Sequence, residues 1–153
     1  MKNSIHKTSD VQNVTLGKSV KISKRCSVFG SEERKLIIGD YSYIGMNAFV
    51  NGFSEQLTIG SHVSIAQNVC IMTDSGPNAS LEMQKFYDLE VGPVSIGDHS
   101  WVCANVVILP NVTIGAFCVV AANSVVTESF PDYSVIAGSP AKLVKRLQEK
   151  NEL

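Results

Sequence analysis

The chain has 153 residues, of which 18% are charged, and its formal net charge is −1. This length suits one domain with a continuous core. The chain lacks the marked basic excess of most nucleic-acid-binding domains, so a protein of that class is not expected. The apolar runs fall well short of the roughly 20 residues that a membrane-spanning helix needs. We therefore expect a single domain over residues 1–153 that binds neither nucleic acid nor a membrane.

The N-terminal segment and the cysteines indicate a cellular compartment. Residues 1–10 are polar and lack the hydrophobic stretch of a signal peptide. The four cysteines, Cys26, Cys70, Cys103 and Cys118, show no CxxC spacing. Without an export signal, we expect them to be free thiols in a reducing compartment. The expected location is the cytoplasm.

Aliphatic residues recur every six positions along most of the chain. A helix of 3.6 residues per turn does not return at six, and simple strand alternation does not explain the strict return. Short strands stacked as a three-sided solenoid explain both, if each aliphatic anchor points inward. The fifteen anchors, three to a coil, are Leu16, Ile22, Val28, Ile38, Ile44, Val50, Ile59, Ile65, Ile71, Ile96, Val102, Ile108, Ile114, Val120 and Val126.

A small residue or valine lies four positions after most anchors, where it is predicted to fill the interior beside a corner. These positions are Val20, Cys26, Ser42, Ala48, Val63, Val69, Ser100, Val106, Val112, Cys118 and Ser124. Two of the cysteines therefore have a packing role. Glycine recurs directly after the anchors, where we expect it to give the backbone freedom to turn.

The six-residue period is interrupted after Val28, Val50 and Ile71. Each interruption follows the third anchor of a coil, so all three insertions are predicted at one edge of the prism. Repeat proteins collect insertions on their binding face, and loops on a rigid scaffold carry function. The longest insertion, Met72 to Ser95, is the predicted location of a site. The alternative is that it only covers a neighbouring subunit.

The period fails at Phe130, and proline and glycine residues beyond it indicate a turn out of the solenoid. The solenoid is thus predicted over about residues 14–130 and a C-terminal cap over about residues 131–153. Within the cap, residues 141–150 are predicted as a short helix that covers the open end. Its apolar side would carry Leu143, Val144 and Leu147.

Two stretches resemble the hexapeptide-repeat acyltransferases, and within them the galactoside, maltose and other sugar O-acetyltransferases. The first is GPVSIGDHSWVCANVVILPNVTIG, over 92–115; the second runs from AANSVVT, over 121–127, to IAGSPAKLVK, over 136–145. The resemblance covers nearly the whole chain. It implies an all-β, left-handed parallel β-helix of about five coils with a long loop and a short C-terminal helix. It also implies a homotrimer with active sites between subunits, acetyl-coenzyme A as donor, and a small acceptor such as a sugar.

The resemblance implies which residues hold the cofactor. The pantetheine arm would run along the last coils and bond to the backbone at Ala104 and Ala122, with Trp101 as a wall of the site. Thr127 and Lys145 match positions near the nucleotide end, where a lysine could face the phosphates as a point charge. Close packing of the alanines and an ordinary solvated lysine are the structural alternatives.

Acyl transfer to an alcohol needs a general base near the hydroxyl group and donors to the developing oxyanion. Members of the resembled family place a histidine at the start of the long loop, where this chain reads MTDSGPNAS and has none. Asn51 matches an asparagine of the family's acceptor pocket, although an asparagine that stabilises a turn is equally expected there.

Two residues compete for the role of base. Asp74 lies in the long loop, where the base is expected. His62 and His99 each follow the first anchor of a coil by three residues and should stack at a different edge, where His99 could face a neighbouring subunit's loop. Because imidazole is a far better base than carboxylate at neutral pH, we favour His99, with Asp74 orienting the acceptor or the imidazole.

Two other functions use the same kind of scaffold. A γ-class carbonic anhydrase binds zinc through histidines, but catalytic zinc typically needs three protein ligands. The chain offers no third histidine at short spacing, so no metal is expected. The second alternative is a non-catalytic β-helix that binds the cofactor or serves as a scaffold. The missing histidine in the long loop is the feature that supports it. Turnover of acetyl-coenzyme A distinguishes it from an enzyme.

Overall fold

A computed structural model describes residues 2–149, which form a left-handed parallel β-helix with three flat faces. The first face contains β3 (Val14–Leu16), β6 (Leu36–Ile38), β9 (Leu57–Ile59), β14 (Val94–Ile96) and β17 (Thr113–Ile114). The second contains β1 (Ser4–Ile5), β4 (Lys21–Ile22), β7 (Tyr43–Ile44), β10 (Ser64–Ile65), β15 (Trp101–Val102), β18 (Val119–Val120), β20 (Ser134–Gly138) and β21 (Ala141–Arg146). The third contains β2 (Asp10–Gln12), β5 (Ser27–Gly30), β8 (Phe49–Gly52), β11 (Cys70–Met72), β16 (Val107–Ile108) and β19 (Val125–Val126).

The anchors stack in register from coil to coil, which confirms the predicted architecture. On the first face, for example, Ile59 pairs with Ile96 and Ile96 with Ile114. Fourteen of the fifteen anchors are buried, and Leu16, in the first complete coil, is half-buried. All eleven small or valine positions are buried as well. The core is therefore one continuous aliphatic column.

Residues two positions before a first anchor or two positions after a third anchor also point inward. Leu36, Leu57 and Val94, each two residues before a first anchor, are buried. Gly30, Gly52, Thr73 and Pro110, each two residues after a third anchor, are buried too. The six-residue count misses most of these positions because the insertions interrupt it. Strand alternation, which places every second residue inside, accounts for them.

The glycines after the anchors have a different role from the one expected. Among the described glycines only Gly138 has a positive φ. At Gly39 an added Cβ would lie 2.6 Å from the carbonyl carbon of Gly60, and at Gly97 one would lie 2.4 Å from the Ala116 nitrogen. Close approach of successive coils excludes a side chain there. The left-handed backbone occurs two residues after these glycines, at Tyr41 and His99.

The stack extends beyond residues 14–130 at both ends. β1 and β2 add part of a coil before the first complete one, because β1 pairs with β4 and β2 with β5. After β19, Phe130 bridges to Ile114 in the place of a first anchor, and β20 stacks on β18. Five complete coils therefore lie between two partial ones.

The predicted C-terminal helix is wrong. β21 covers Ala141–Arg146 and pairs antiparallel with β20; the end of the predicted helix, Lys150, lies outside the described residues. The physical reason is the exposed edge of the last coil, whose unpaired N–H and C=O groups are better satisfied by a strand than by a helix. Leu143, Val144 and Leu147 are 49%, 61% and 37% exposed, so they form no buried apolar side.

The long insertion begins and ends in a two-stranded ribbon, β12 (Asp74–Ser75) with β13 (Glu90–Val91). A single 3₁₀ turn, Met83–Lys85, lies between these strands. Leu81, Phe86 and Tyr87 on this loop are at least 70% exposed. Within residues 2–149, no helix has the length and apolar character to cross a bilayer.

Candidate functional site

All three insertions lie at one edge of the prism, between the third face and the first, which we call the insertion edge. They follow β5, β8 and β11, which are neighbours in one sheet. The register places Asn51 beside Phe29 on one side and Met72 on the other. The structure therefore brings together segments that are about twenty residues apart in sequence.

Asp74 is half-buried at the base of the long loop, in β12. One of its carboxylate oxygens accepts a hydrogen bond from the hydroxyl of Ser54, in the second insertion. This contact ties the second insertion to the third and fixes the orientation of the carboxylate. Ser54 was not among the predicted site residues, since nothing in the six-residue pattern distinguishes it.

Asn51 lies on β8 at the same edge, and its side chain has a local partner. Its Oδ1 accepts a hydrogen bond from the backbone N–H of Phe53 at 2.9 Å, which is the geometry of an Asx turn. The carbonyl oxygen of the Asn51 side chain therefore shapes the second insertion. The Nδ2 group has no hydrogen bond to any residue of the described range 2–149 and can donate to a ligand.

Thr73 is a fully buried polar residue that the sequence analysis did not identify. Its hydroxyl donates to the Asn51 carbonyl at 3.1 Å and accepts from the Glu55 backbone N–H at 3.3 Å. The signal that could have found it is its position two residues after a third anchor. The equivalent residues Gly30, Gly52 and Pro110 also face inward.

His62 and His99 lie at another edge, between the first and second faces, as predicted. Their rings stack at a centroid distance of 4.8 Å in a column that also contains Tyr41, Phe117 and Tyr133. We call this the aromatic edge. Stacking covers the faces of the His99 ring, while the residue as a whole remains exposed. Within one chain, His99 and Asp74 therefore lie at different edges.

The predicted cofactor residues do not form one cluster within a single chain. Ala104 and Ala122 lie in adjacent coils at the third edge, between the second and third faces, where the Asn123 N–H donates to the Ala104 carbonyl at 3.0 Å. Trp101 is on the second face, on the strand that leads to this edge, and is 53% exposed. Thr127 follows β19, and Lys145 is on β21.

An ion pair links the segments that carry Thr127 and Lys145. Lys142 lies 2.9 Å from the carboxylate of Glu128, which is the residue after Thr127. Both partners are more than half exposed, so the pair contributes little to stability. It indicates that the two segments meet at the C-terminal end of the stack.

All four cysteines are free, and two of them line the outside of the prism. Burial raises the pKa of the Cys70 thiol. Burial also raises the pKa of Cys103, against a hydrogen bond with the Ala122 backbone that lowers it. Across residues 2–149, no three His, Cys, Asp or Glu side chains gather into a group that would hold a metal ion.

Comparison with known proteins gives the following matches. A family model described as "Bacterial transferase hexapeptide (six repeats)" matches residues 93–128. The putative colanic acid biosynthesis acetyltransferase WcaF of Escherichia coli is 35% identical over 136 residues, which cover 88% of this chain and 70% of that protein. The galactoside O-acetyltransferase of Escherichia coli is 32% identical over 120 residues, which cover 74% of this chain and 58% of that protein.

A solved structure shows the same fold. AntD, an N-acyltransferase from Bacillus cereus in complex with dTDP and 3-hydroxybutyryl-CoA, superposes with a TM-score of 0.81 at 24% identity, over 96% of this chain and 81% of that one. The two proteins therefore share the β-helix fold.

Proposed function

This chain belongs to the hexapeptide-repeat acyltransferases, and we propose that it transfers an acetyl group from acetyl-coenzyme A to a hydroxyl group of a sugar. The observation that carries the proposal is the insertion edge. There Asn51, Asp74 and all three insertions meet on a scaffold similar to that of sugar acetyltransferases. An amino group of a sugar is the alternative acceptor.

For the donor, we propose that the pantetheine arm lies along the edge that carries Ala104 and Ala122. Their methyl side chains leave the backbone of adjacent coils accessible to an extended ligand, and the exposed Trp101 ring offers an apolar wall beside it. Thr127 and Lys145, at the C-terminal end, would contact the nucleotide part, with Lys145 opposite its phosphates.

For the catalytic assembly, we propose a homotrimer in which His99 of one subunit faces the insertion edge of another. Stacking on both ring faces orients the His99 imidazole and leaves its edge free. There it would take the proton from the acceptor hydroxyl as general base. The hydrogen bond from Ser54 holds Asp74 in one orientation, which suits a role in positioning the acceptor or the imidazole.

The expected location is the cytoplasm, where acetyl-coenzyme A is available and the four free thiols would stay reduced. No metal takes part in the proposed reaction.

The proposal is tested by release of the coenzyme A thiol. Purified protein with acetyl-coenzyme A should release thiol much faster when a suitable neutral sugar is added, and mass spectrometry should find the acetylated sugar. A cofactor-binding module would bind acetyl-coenzyme A and be stabilised by it, and a scaffold need not bind it, but neither would show sugar-dependent release.

The assignment of the base is tested by three variants at saturating acetyl-coenzyme A. His99→Ala should lower kcat by about 10²–10⁴, the usual contribution of a general base. Asp74→Asn should mainly raise KM for the acceptor, because the amide keeps the shape but loses the charge. His62→Ala is the matched control, since it also removes a histidine from the aromatic edge. Equal losses for His62→Ala and His99→Ala would show that the stack, and not the base, is being lost.

A further inference from the structure

A cleft of about 630 Å³ lies at the insertion edge between the first and second insertions. It is distinct from the long loop, where the site was predicted. The residues that line it are Asn13, Ser31, Glu32, Glu33, Arg34, Phe53 and Ser54. None of them was assigned a role by the sequence analysis.

The cleft has an aromatic platform. Phe53 directly follows the last residue of β8, and its side chain is 60% exposed. Its backbone N–H is held by the side chain of Asn51, so its position relative to Asn51 is set by the fold. An exposed aromatic ring on a backbone that is anchored in this way suits stacking against the C–H face of a sugar ring.

The cleft also has directional polar groups. Arg34 donates through Nη1 to the Ser54 carbonyl at 2.8 Å, and its Nε lies 3.9 Å from Glu55. These contacts hold the guanidinium in place while leaving some of its five N–H donors available. The carboxylates of Glu32 and Glu33 are acceptors on the same lining. Donors and acceptors around an aromatic ring match the hydroxyl groups of a saccharide.

The charges of the lining limit the class of ligand. Glu32 and Glu33 carry two negative charges against the single positive charge of Arg34, and Glu55 is adjacent to Arg34. The lining itself has an excess of one negative charge, which disfavours an anionic ligand such as a phosphate or a uronic acid. A neutral ring is not repelled.

Ser54 connects the cleft to the proposed site of acyl transfer. Its carbonyl accepts from Arg34, and its hydroxyl donates to Asp74. The buried Thr73 hydroxyl holds the second insertion against the third. A ligand in the cleft would therefore lie directly beside an acceptor positioned by Asp74, on a wall that is already formed.

We propose that this cleft is a subsite for a neutral glycosyl unit adjacent to the one that is acylated, with Phe53 as the stacking platform and Arg34 as the hydrogen-bond donor. The inference rests on the proposed sugar acceptor. It implies that the acceptor is a disaccharide or a longer glycoside, and not a free monosaccharide.

The test is saturation-transfer NMR with maltose, lactose and cellobiose, their component monosaccharides, and glucuronic acid as the charged probe. At least one disaccharide should receive more saturation than its monosaccharides, and glucuronic acid the least. Phe53→Ala should weaken disaccharide binding about threefold to tenfold, the range expected for one aromatic contact. Tyr43→Ala is the matched control, because it removes an exposed aromatic ring from the second face, which does not line the cleft.

The outcomes separate the subsite from the reaction, since this binding needs neither acetyl-coenzyme A nor catalysis. Disaccharide binding that depends on Phe53, without acetylation of any sugar, would refute the proposed function and retain the cleft only as a binding site for a neutral glycosyl unit. The subsite is refuted if no disaccharide in the panel binds better than its monosaccharides, or if Phe53→Ala binds them as tightly as the unaltered protein does.

Discussion

The hydroxyl group of Thr73 joins the second and third insertions. It contacts the Asn51 carbonyl and the Glu55 N–H, and the residue is fully buried. Such a group satisfies two backbone groups at once. Leaving a part-buried backbone N–H such as that of Glu55 without its partner is unfavourable by up to about 1–3 kcal/mol. The contact therefore anchors the second insertion through Glu55, whereas the Asn51 carbonyl is also held by the Thr73 N–H at 3.0 Å.

Thr73→Val, which keeps the shape and removes the hydroxyl, should lower the free energy of unfolding by about 1–3 kcal/mol. Urea unfolding followed by circular dichroism measures the change. Thr113→Val is the matched control, because Thr113 is exposed on β17, and its effect should stay within about 0.5 kcal/mol. If both variants unfolded alike, the Thr73 hydroxyl would have no structural role.

At the scale of the element, β21 replaces a predicted helix. A helix and a strand place the residues of this segment on different faces. In a helix, Ala141 and Val144 would lie three residues apart on one face. In the strand, Ala141 is buried at the start of the hairpin, and Val144 is 61% exposed. The last coil needs a partner for its backbone, and the hairpin supplies one.

Ala141→Glu should therefore destabilise the protein by several kcal/mol, because it places a charge where the structure has no solvent. Val144→Glu, the matched variant, should change stability by about 0.5 kcal/mol or less. Thermal unfolding of the two variants compares them. Similar losses of stability in both would favour the helix over β21.

At the scale of the whole molecule, the exposed apolar side chains need cover. Leu81, Phe86 and Tyr87 project from the long loop, and Trp101 is exposed on the second face. A closed homotrimer would bury such surface symmetrically. The proposed role of His99 requires that this trimer also bring the aromatic edge of one chain to the insertion edge of the next.

Light scattering at micromolar concentration should give three times the 16.5 kDa mass of the chain. Phe86→Asp should shift the protein toward monomer and lower turnover with it, whereas Lys24→Glu, a charge reversal at another exposed position, should do neither. A monomeric unaltered protein would remove the trimer and the interfacial site together.

The repeating geometry of one coil can be predicted from the sequence alone. The anchors from Ile96 to Val126 recur at a strict period, because each coil repeats the same local geometry, and this periodicity needs no long-range information. The shared edge of the insertions and the stacking of His62 on His99 follow from the same count. The residues of the candidate site that lie on the regular coils could therefore be located in advance.

The conformation of the insertions and of the C-terminal segment, where the six-residue period stops, could be learned only from the tertiary structure. Two contacts join insertions that are about twenty residues apart: the hydrogen bond between Ser54 and Asp74, and that of the buried Thr73 hydroxyl. The cleft beside Phe53 is formed between such insertions. Loop conformation depends on such non-local contacts and not on a repeat. The helix predicted over residues 141–150 is wrong for the same reason. Residues Ala141–Arg146 form β21 because the strand pairs with β20 at the edge of the last coil, which is a non-local contact.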